Sequence, residues 1–211
     1  MSFCVADLPP LKGLVDRWAV ASAIRQAHLP GSPSGVEGTQ LLSDDGGGSW
    51  ATLDVLDAGQ AVLRAWDRDE FGAQTVPTGT QLAQQYPAWA HPYLPSSDDR
   101  TPTHLLAVWE DGQWHSAGHD ALSRDSAQHV LPMHAVEAMV ALVADLVEAY
   151  VGAGAGDVDE DALPPAEGEV AQACALGARL DATTLARLVR HPGLDAEAGV
   201  SEAQRFATVL G

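Results

Sequence analysis

An α+β fold is predicted for this 211-residue chain: a four-stranded antiparallel meander covered by two long helices, with a short helical C-terminal appendage. Two hairpin signals, two helical periodicities and a change of composition after Gly152 carry that prediction. Leu11, Leu14, Val15, Trp18, Ala21 and Ile24 recur at spacings of three and four, so residues 10–28 form a helix with one apolar face. Pro10 suits its first turn and Pro30 its end. Residues 31–48 are rich in Gly, Ser and Asp and read as a long surface loop.

Trp50 to Leu56 alternates, with Leu53 and Val55 on one face; Ala61 to Asp67 alternates likewise. Asp57-Ala58-Gly59 between them closes a hairpin if Gly59 is left-handed, which sets Leu53 and Val55 beside Ala61 and Leu63. A second hairpin joins HLLAVWE to QWHSAG through Asp111-Gly112. That turn pairs Glu110 with Gln113 and Trp109 with Trp114, an aromatic contact worth about 0.5–1 kcal/mol. Residues 79–86 suit a short helix, and Trp89 and Tyr93 in PAWAHPYLP are read as packing residues. Residues 132–151 form the second long helix.

Beyond it, GAGAGDVDEDALPPAEGE reads as a linker. Every Trp and Tyr precedes Gly152, and short helices are expected over residues 169–179, 181–190 and 201–210. Asp181 is the expected N-cap of one, and Ser201 with Gln204 the capping box of another. The predicted organisation is an α+β domain over 1–152, a Gly/Ala and acidic linker over 153–168, and a helical appendage over 169–211. The appendage has too little bulk for a core of its own.

Charge dominates the functional reading. Twenty-nine acidic residues against 11 basic ones give −18, a field that repels phosphate backbones and attracts basic proteins. No nucleic-acid partner is therefore expected. The C-terminal helices loosely imitate a helix-turn-helix, but only four arginines stand against ten acids after Tyr150. No apolar run reaches the ~20 residues of a bilayer span, and the start lacks a secretory signal, so a cytoplasmic protein without membrane contact is expected. Acidity alone also serves solubility.

Candidate chemistry is sparse. Cys4 and Cys174 form no CxxC, and Cys174 reads as a buried, inert thiol. There is no GxSxG, and Gly46-Gly47-Gly48 precedes a strand without a following Lys-Ser/Thr, so no phosphate loop and no cofactor are expected. His115, His119 and Asp120 have spacing reminiscent of zinc ligands, but they sit at a strand end and in a loop. They remain the alternative metal set, for a hydrolase. The segment WDRDEF is the candidate partner-binding patch, with Trp66 or Phe71 as anchor and Asp67, Asp69 and Glu70 meeting cations. The same residues also suit a solvated turn with Arg68 paired locally, or a carboxylate pair in acid–base work.

AVLRAWDRDE, YPAWAHPYL and LLAVWEDGQWH, within residues 10–150, occur in an order that resembles a family of small acidic α+β proteins of actinobacterial type, similar in style to immunity and conflict-system proteins. That resemblance implies no catalytic residues. The leading expectation is an acidic interaction protein that inhibits, or confers immunity to, a basic partner. A metal-assisted hydrolase and a structural subunit docking through its C-terminal helices are the alternatives.

Overall fold

The computed structural model describes residues 3–56, 59–70, 75–78, 80–96, 102–118, 122–152, 165–190 and 193–209. Its sheet runs in chain order through β1 (Gly35–Glu37), β2 (Gln40–Asp44), β3 (Trp50–Leu56), β4 (Gln60–Trp66), β5 (Leu105–Glu110) and β6 (Gln113–His115). Neighbours from β2 to β6 are antiparallel. The chain is thus α+β with an antiparallel sheet, but the sheet has six strands where four were expected. The two additional strands lie within residues 31–48. There, Leu41 and Ser43 turn inward at 0% and 2% exposure, a period-two signal hidden by the surrounding Gly, Ser and Asp.

The chain divides into two compact units, Met1–Leu11 with Glu37–Leu131, and Lys12–Val36 with Pro132–Gly211. In the first unit both predicted hairpins form in the predicted register. Leu53 faces Leu63 and Val55 faces Ala61, while Gly59 takes φ 74° in the turn. Asp111 and Gly112 take φ 52° and 82°, values that suit a two-residue turn matched to the twist of the strands. Trp109 meets Trp114 with ring centroids 5.2 Å apart.

Strand β4 is central and buried on both faces. One face carries Ala61, Leu63 and Ala65 beside Leu53, Leu105 and Ala107, all fully buried. On the other, Val62, Leu106 and Val108 pack with Val76, Leu82, Tyr86 and Ala90, supplied by the segment that holds α2 (Thr80–Ala83) and the 3-10 turn Ala88–Tyr93. Trp89 and Tyr93 pack against this cluster, and the Trp89 indole N–H donates to Glu110 Oε1 at 2.7 Å. Tyr86 fixes the same segment by donating to the Ser116 carbonyl at 2.6 Å. A further helix that the sequence reading lacked, α3 (Arg124–Val130), closes the unit.

The second unit is helical. Its α1 (Leu11–His28) ends where predicted and starts one residue later, but lacks the predicted single apolar face: Leu14, Trp18, Ala19, Val20, Ala23 and Ile24 are all at 0% exposure. Burial around most of the circumference marks an interior helix. Residues 132–152 form a 3-10 turn, Pro132–His134, followed by α4 (Val136–Gly152). The C-terminal helices are α5 (Glu167–Leu176), α6 (Ala182–Val189) and α7 (Ala196–Arg205). They pack on α1 and α4 and so share a core with them. A Cβ on Gly199 would lie 2.6 Å from the Ala23 carbonyl and 2.5 Å from a Leu185 methyl, so α7 approaches α1 as closely as a glycine allows.

Residues 153–164 of the expected linker lie outside the described residues. Asp181 caps α6 as predicted, accepting the Thr184 N–H at 2.8 Å. The capping box at Ser201 does not form, because Asp195 caps α7 by accepting the Ala198 N–H at 2.9 Å and Ser201 falls inside the helix.

Strand β1 stands at the end of the sheet order, and both backbone groups of Val36 find partners on α7. Its N–H donates to Glu202 Oε1 at 3.1 Å, and its carbonyl accepts from Arg205, whose other terminal nitrogen holds Glu202 Oε2 at 2.7 Å. Glu202 is 6% exposed, so removing it strands a buried donor. Glu202→Ala is expected to lower unfolding free energy by about 1–3 kcal/mol in urea titrations. A Cβ on Gly35 would collide with the same Oε1. Gly35→Ala should therefore displace the Glu202 carboxylate and destabilise the chain by no more than Glu202→Ala, with the two effects less than additive in a double-mutant cycle.

Candidate functional site

The WDRDEF segment leaves the sheet at the end of β4, and the chain folds there because Asp67 turns inward at 4% exposure. Its Oδ1 accepts the Asp69 N–H at 2.9 Å and the Ser49 hydroxyl at 3.1 Å. The first bond shapes the turn at 68–69, and the second ties that turn to the β2–β3 loop. Ser49 Oγ accepts the Arg68 N–H at 3.1 Å in return, and the Arg68 guanidinium reaches the Gly47 carbonyl. The loop has its own carboxylate, Asp45, whose Oδ1 accepts the Gly47 and Ser49 N–H groups at 2.7 and 3.0 Å.

Helix α3 supplies the third wall. Ser123 caps it, accepting the Ser126 N–H at 3.0 Å while donating to Glu70 Oε2 at 2.8 Å, and the Ser126 hydroxyl bonds the same oxygen. From the outer side of α3, His129 Nε2 meets Asp45 Oδ2 at 3.0 Å. His104, 2% exposed, lies beneath the turn: its ring stacks on Trp66 at a centroid distance of 4.1 Å, and its Nδ1 accepts the Asp67 N–H at 3.4 Å. Three carboxylates, Asp69, Asp45 and Asp67, thus act on Arg68, while Glu70 is held by Ser123 and Ser126 of α3.

The electrostatics follow from the donors. Burial pushes Asp45 upward, yet the Gly47 N–H, His129 and the Ser49 N–H outweigh it and hold its pKa below the usual value. Asp67 behaves alike, with burial opposed by the Asp69 N–H, the Ser126 and Ser49 hydroxyls and the charge of His129. Glu70 is lowered chiefly by Ser126 and Ser123. Burial lowers His104, and the charges of Asp67 and Glu70 only partly offset it. This is an anion-stabilising arrangement. Serine hydroxyls that donate to carboxylates held low are paired with weak bases, the reverse of what activates a nucleophile.

Of the residues singled out from sequence, Asp67 and Glu70 belong to this inward network and Trp66 is half-buried beside His104. Only Asp69 stands open, its side chain 60% exposed and paired with Arg68 at 3.2 Å. Phe71 lies outside the described residues. In the alternative metal set, His115 ends β6 and is exposed, whereas His119 and Asp120 also lie outside the described residues. Among the described residues, no group of three or more His, Cys, Asp or Glu is placed to hold a metal ion, and no helix is long and apolar enough to cross a membrane. Sequence reasoning missed Asp45, Ser49, His104, Ser123, Ser126 and His129. Ser123, followed three residues on by Ser126 and then by Ala127, Val130 and Leu131 at helical spacing, is a cap signal that would have exposed α3. Comparison with family models, curated proteins and solved structures returns no match for this chain.

Two outcomes are expected. Groups with depressed pKa values contribute stability above their unfolded pKa that is lost as pH falls through the folded one. Stability should decline first below about pH 6.5, as unfolded His104 binds protons that the buried ring resists, and more steeply below about pH 4, as the carboxylates protonate. His104→Gln should remove the first stage and Asp67→Asn should flatten the second, as read from urea midpoints across pH. Separately, burial pushes Cys174 up to about 11, so iodoacetamide at pH 8 should label exposed Cys4 and spare Cys174 in the native protein, by peptide mass mapping.

Proposed function

We propose that this protein is an acidic interaction module that covers a basic partner protein, in the manner of an inhibitor or immunity factor, and that its contact surface centres on the β4 exit. The observation that carries this reading is the gathering of Asp45, Asp67, Asp69 and Glu70 at the β4 exit, three of them held below their usual pKa by donors from three separate chain segments. Fixed anionic charge of this kind costs little reorganisation when a cation approaches.

The roles within the patch divide by exposure. Asp69 is the direct contact, because its carboxylate is open and its Arg68 partner is equally accessible. Asp67 and Glu70 shape the turn and contribute through the field. The bulk charge of −18 acts in the same sense, raising the encounter rate with a basic surface by about 10- to 1,000-fold at low salt. The order of motifs that resembles small bacterial immunity-style proteins agrees with this role, which would be exercised in the cytoplasm.

Charge reversal must spare the inward carboxylates to remain interpretable. The double variant Asp69→Lys and Asp125→Lys changes two exposed positions on the turn and on α3. Host-lysate proteins retained by the immobilised native chain and eluted with a salt gradient are expected to include a basic protein released at moderate salt and lost from the variant. Equal retention by both chains, or retention that resists salt, would overturn the electrostatic reading.

A further inference from the structure

A cleft in the helical unit lies apart from the acidic site. It is formed by Lys12, Val15, Asp16 and Ala19 of α1, by Leu176, Ala178 and Arg179 at the end of α5, and by Phe206 and Ala207 after α7. Its volume of about 470 Å³ lies within the range of small-molecule sites. The floor is apolar and closed: Val15, Ala19 and Phe206 are at most 3% exposed. The rim is cationic. Lys12 Nζ holds Asp16 at 2.5 Å, which neutralises the carboxylate lining the cleft. Among the described residues, Arg179 has no hydrogen-bond or ion-pair partner, and it is exposed.

We propose that this cleft binds a small amphipathic carboxylate, with its hydrocarbon part on Val15, Ala19 and Phe206 and its carboxylate on the Arg179 guanidinium, Lys12 assisting. Charge complementarity selects the ligand class. A chain with only 11 basic residues against 29 acids places two of them on the rim of an apolar cleft whose single carboxylate is already paired. The planar guanidinium fork matches a carboxylate in two parallel hydrogen bonds, which a neutral alcohol cannot reproduce. The overall field opposes the approach of any anion, so binding must come from these local contacts.

The probes are sodium hexanoate, hexanol and hexylamine, titrated into the full chain and followed by amide shifts of Ala178, Arg179 and Ala207. Hexanoate is expected to bind with a dissociation constant of about 1 mM, the scale for eight non-hydrogen atoms. Arg179→Ala should weaken it at least about tenfold, and added salt should weaken hexanoate but not hexanol. Ala207→Trp, at an exposed position on the rim, should block the cleft and abolish hexanoate shifts without unfolding the chain. Equal affinity for hexanol and hexanoate, preference for hexylamine, no binding at 20-fold the expected constant (about 20 mM), or an unaffected Arg179→Ala variant would each overturn the proposal.

Discussion

Asp67 is a carboxylate placed where the central strand of the sheet ends, and the arrangement around it depends on how its charge is satisfied. A buried carboxylate without donors would be unstable or protonated. Here the Asp69 N–H and the Ser49 hydroxyl bind one oxygen. The two donors come from different pieces of chain, so satisfying one side chain also joins the turn after β4 to the β2–β3 loop. The same logic repeats one step outward. Glu70 draws Ser123 and Ser126 of α3 towards the turn, and Asp45 holds His129 from the loop side.

The helical unit solves a comparable problem with a different pair of side chains. Val36 offers an N–H and a carbonyl that continue no further in the sheet order, and Glu202 with Arg205 accepts the one and donates to the other. An acid and a base three residues apart on α7 thus reproduce the donor and acceptor pattern of a neighbouring strand. Nearby, Gly199 lets α7 lie against α1, and Gly35 leaves room for the Glu202 carboxylate. Small residues at these two points are packing requirements.

How much of this was legible follows from the range of each interaction. Both central hairpins were readable to the residue, because turn chemistry at Gly59 and at Asp111-Gly112 sets register locally and the apolar alternation agrees with it. The first helix was readable as a helix, but its burial on most sides was not, since Arg25 and Ser22 look solvent-facing in sequence and are buried in the structure. Strands β1 and β2 were lost to composition: glycine and serine counts outweighed a short alternation of Leu41 and Ser43. The acidic site was legible only at its centre. Its contacts span 18 residues from Ser49 to Asp67, 56 from Glu70 to Ser126 and 84 from Asp45 to His129, separations at which a single sequence carries no pairing signal.

The inward carboxylates change how the net charge of −18 should be understood. A carboxylate clustered with others tends to take up a proton, because like charges disfavour mutual ionisation. Asp45, Asp67 and Glu70 instead lie below their usual pKa values, since N–H and O–H donors offset both burial and mutual repulsion. Folding therefore fixes negative charge at the β4 exit that an unfolded chain would hold only loosely, and it does so chiefly with N–H and O–H donors. The local field consequently remains negative while Asp45, Asp67 and Glu70 are each held by hydrogen bonds. A surface built this way differs from an acidic tail of equal charge: its geometry is set before any partner arrives, and its response to acid is coupled to the stability of the fold itself.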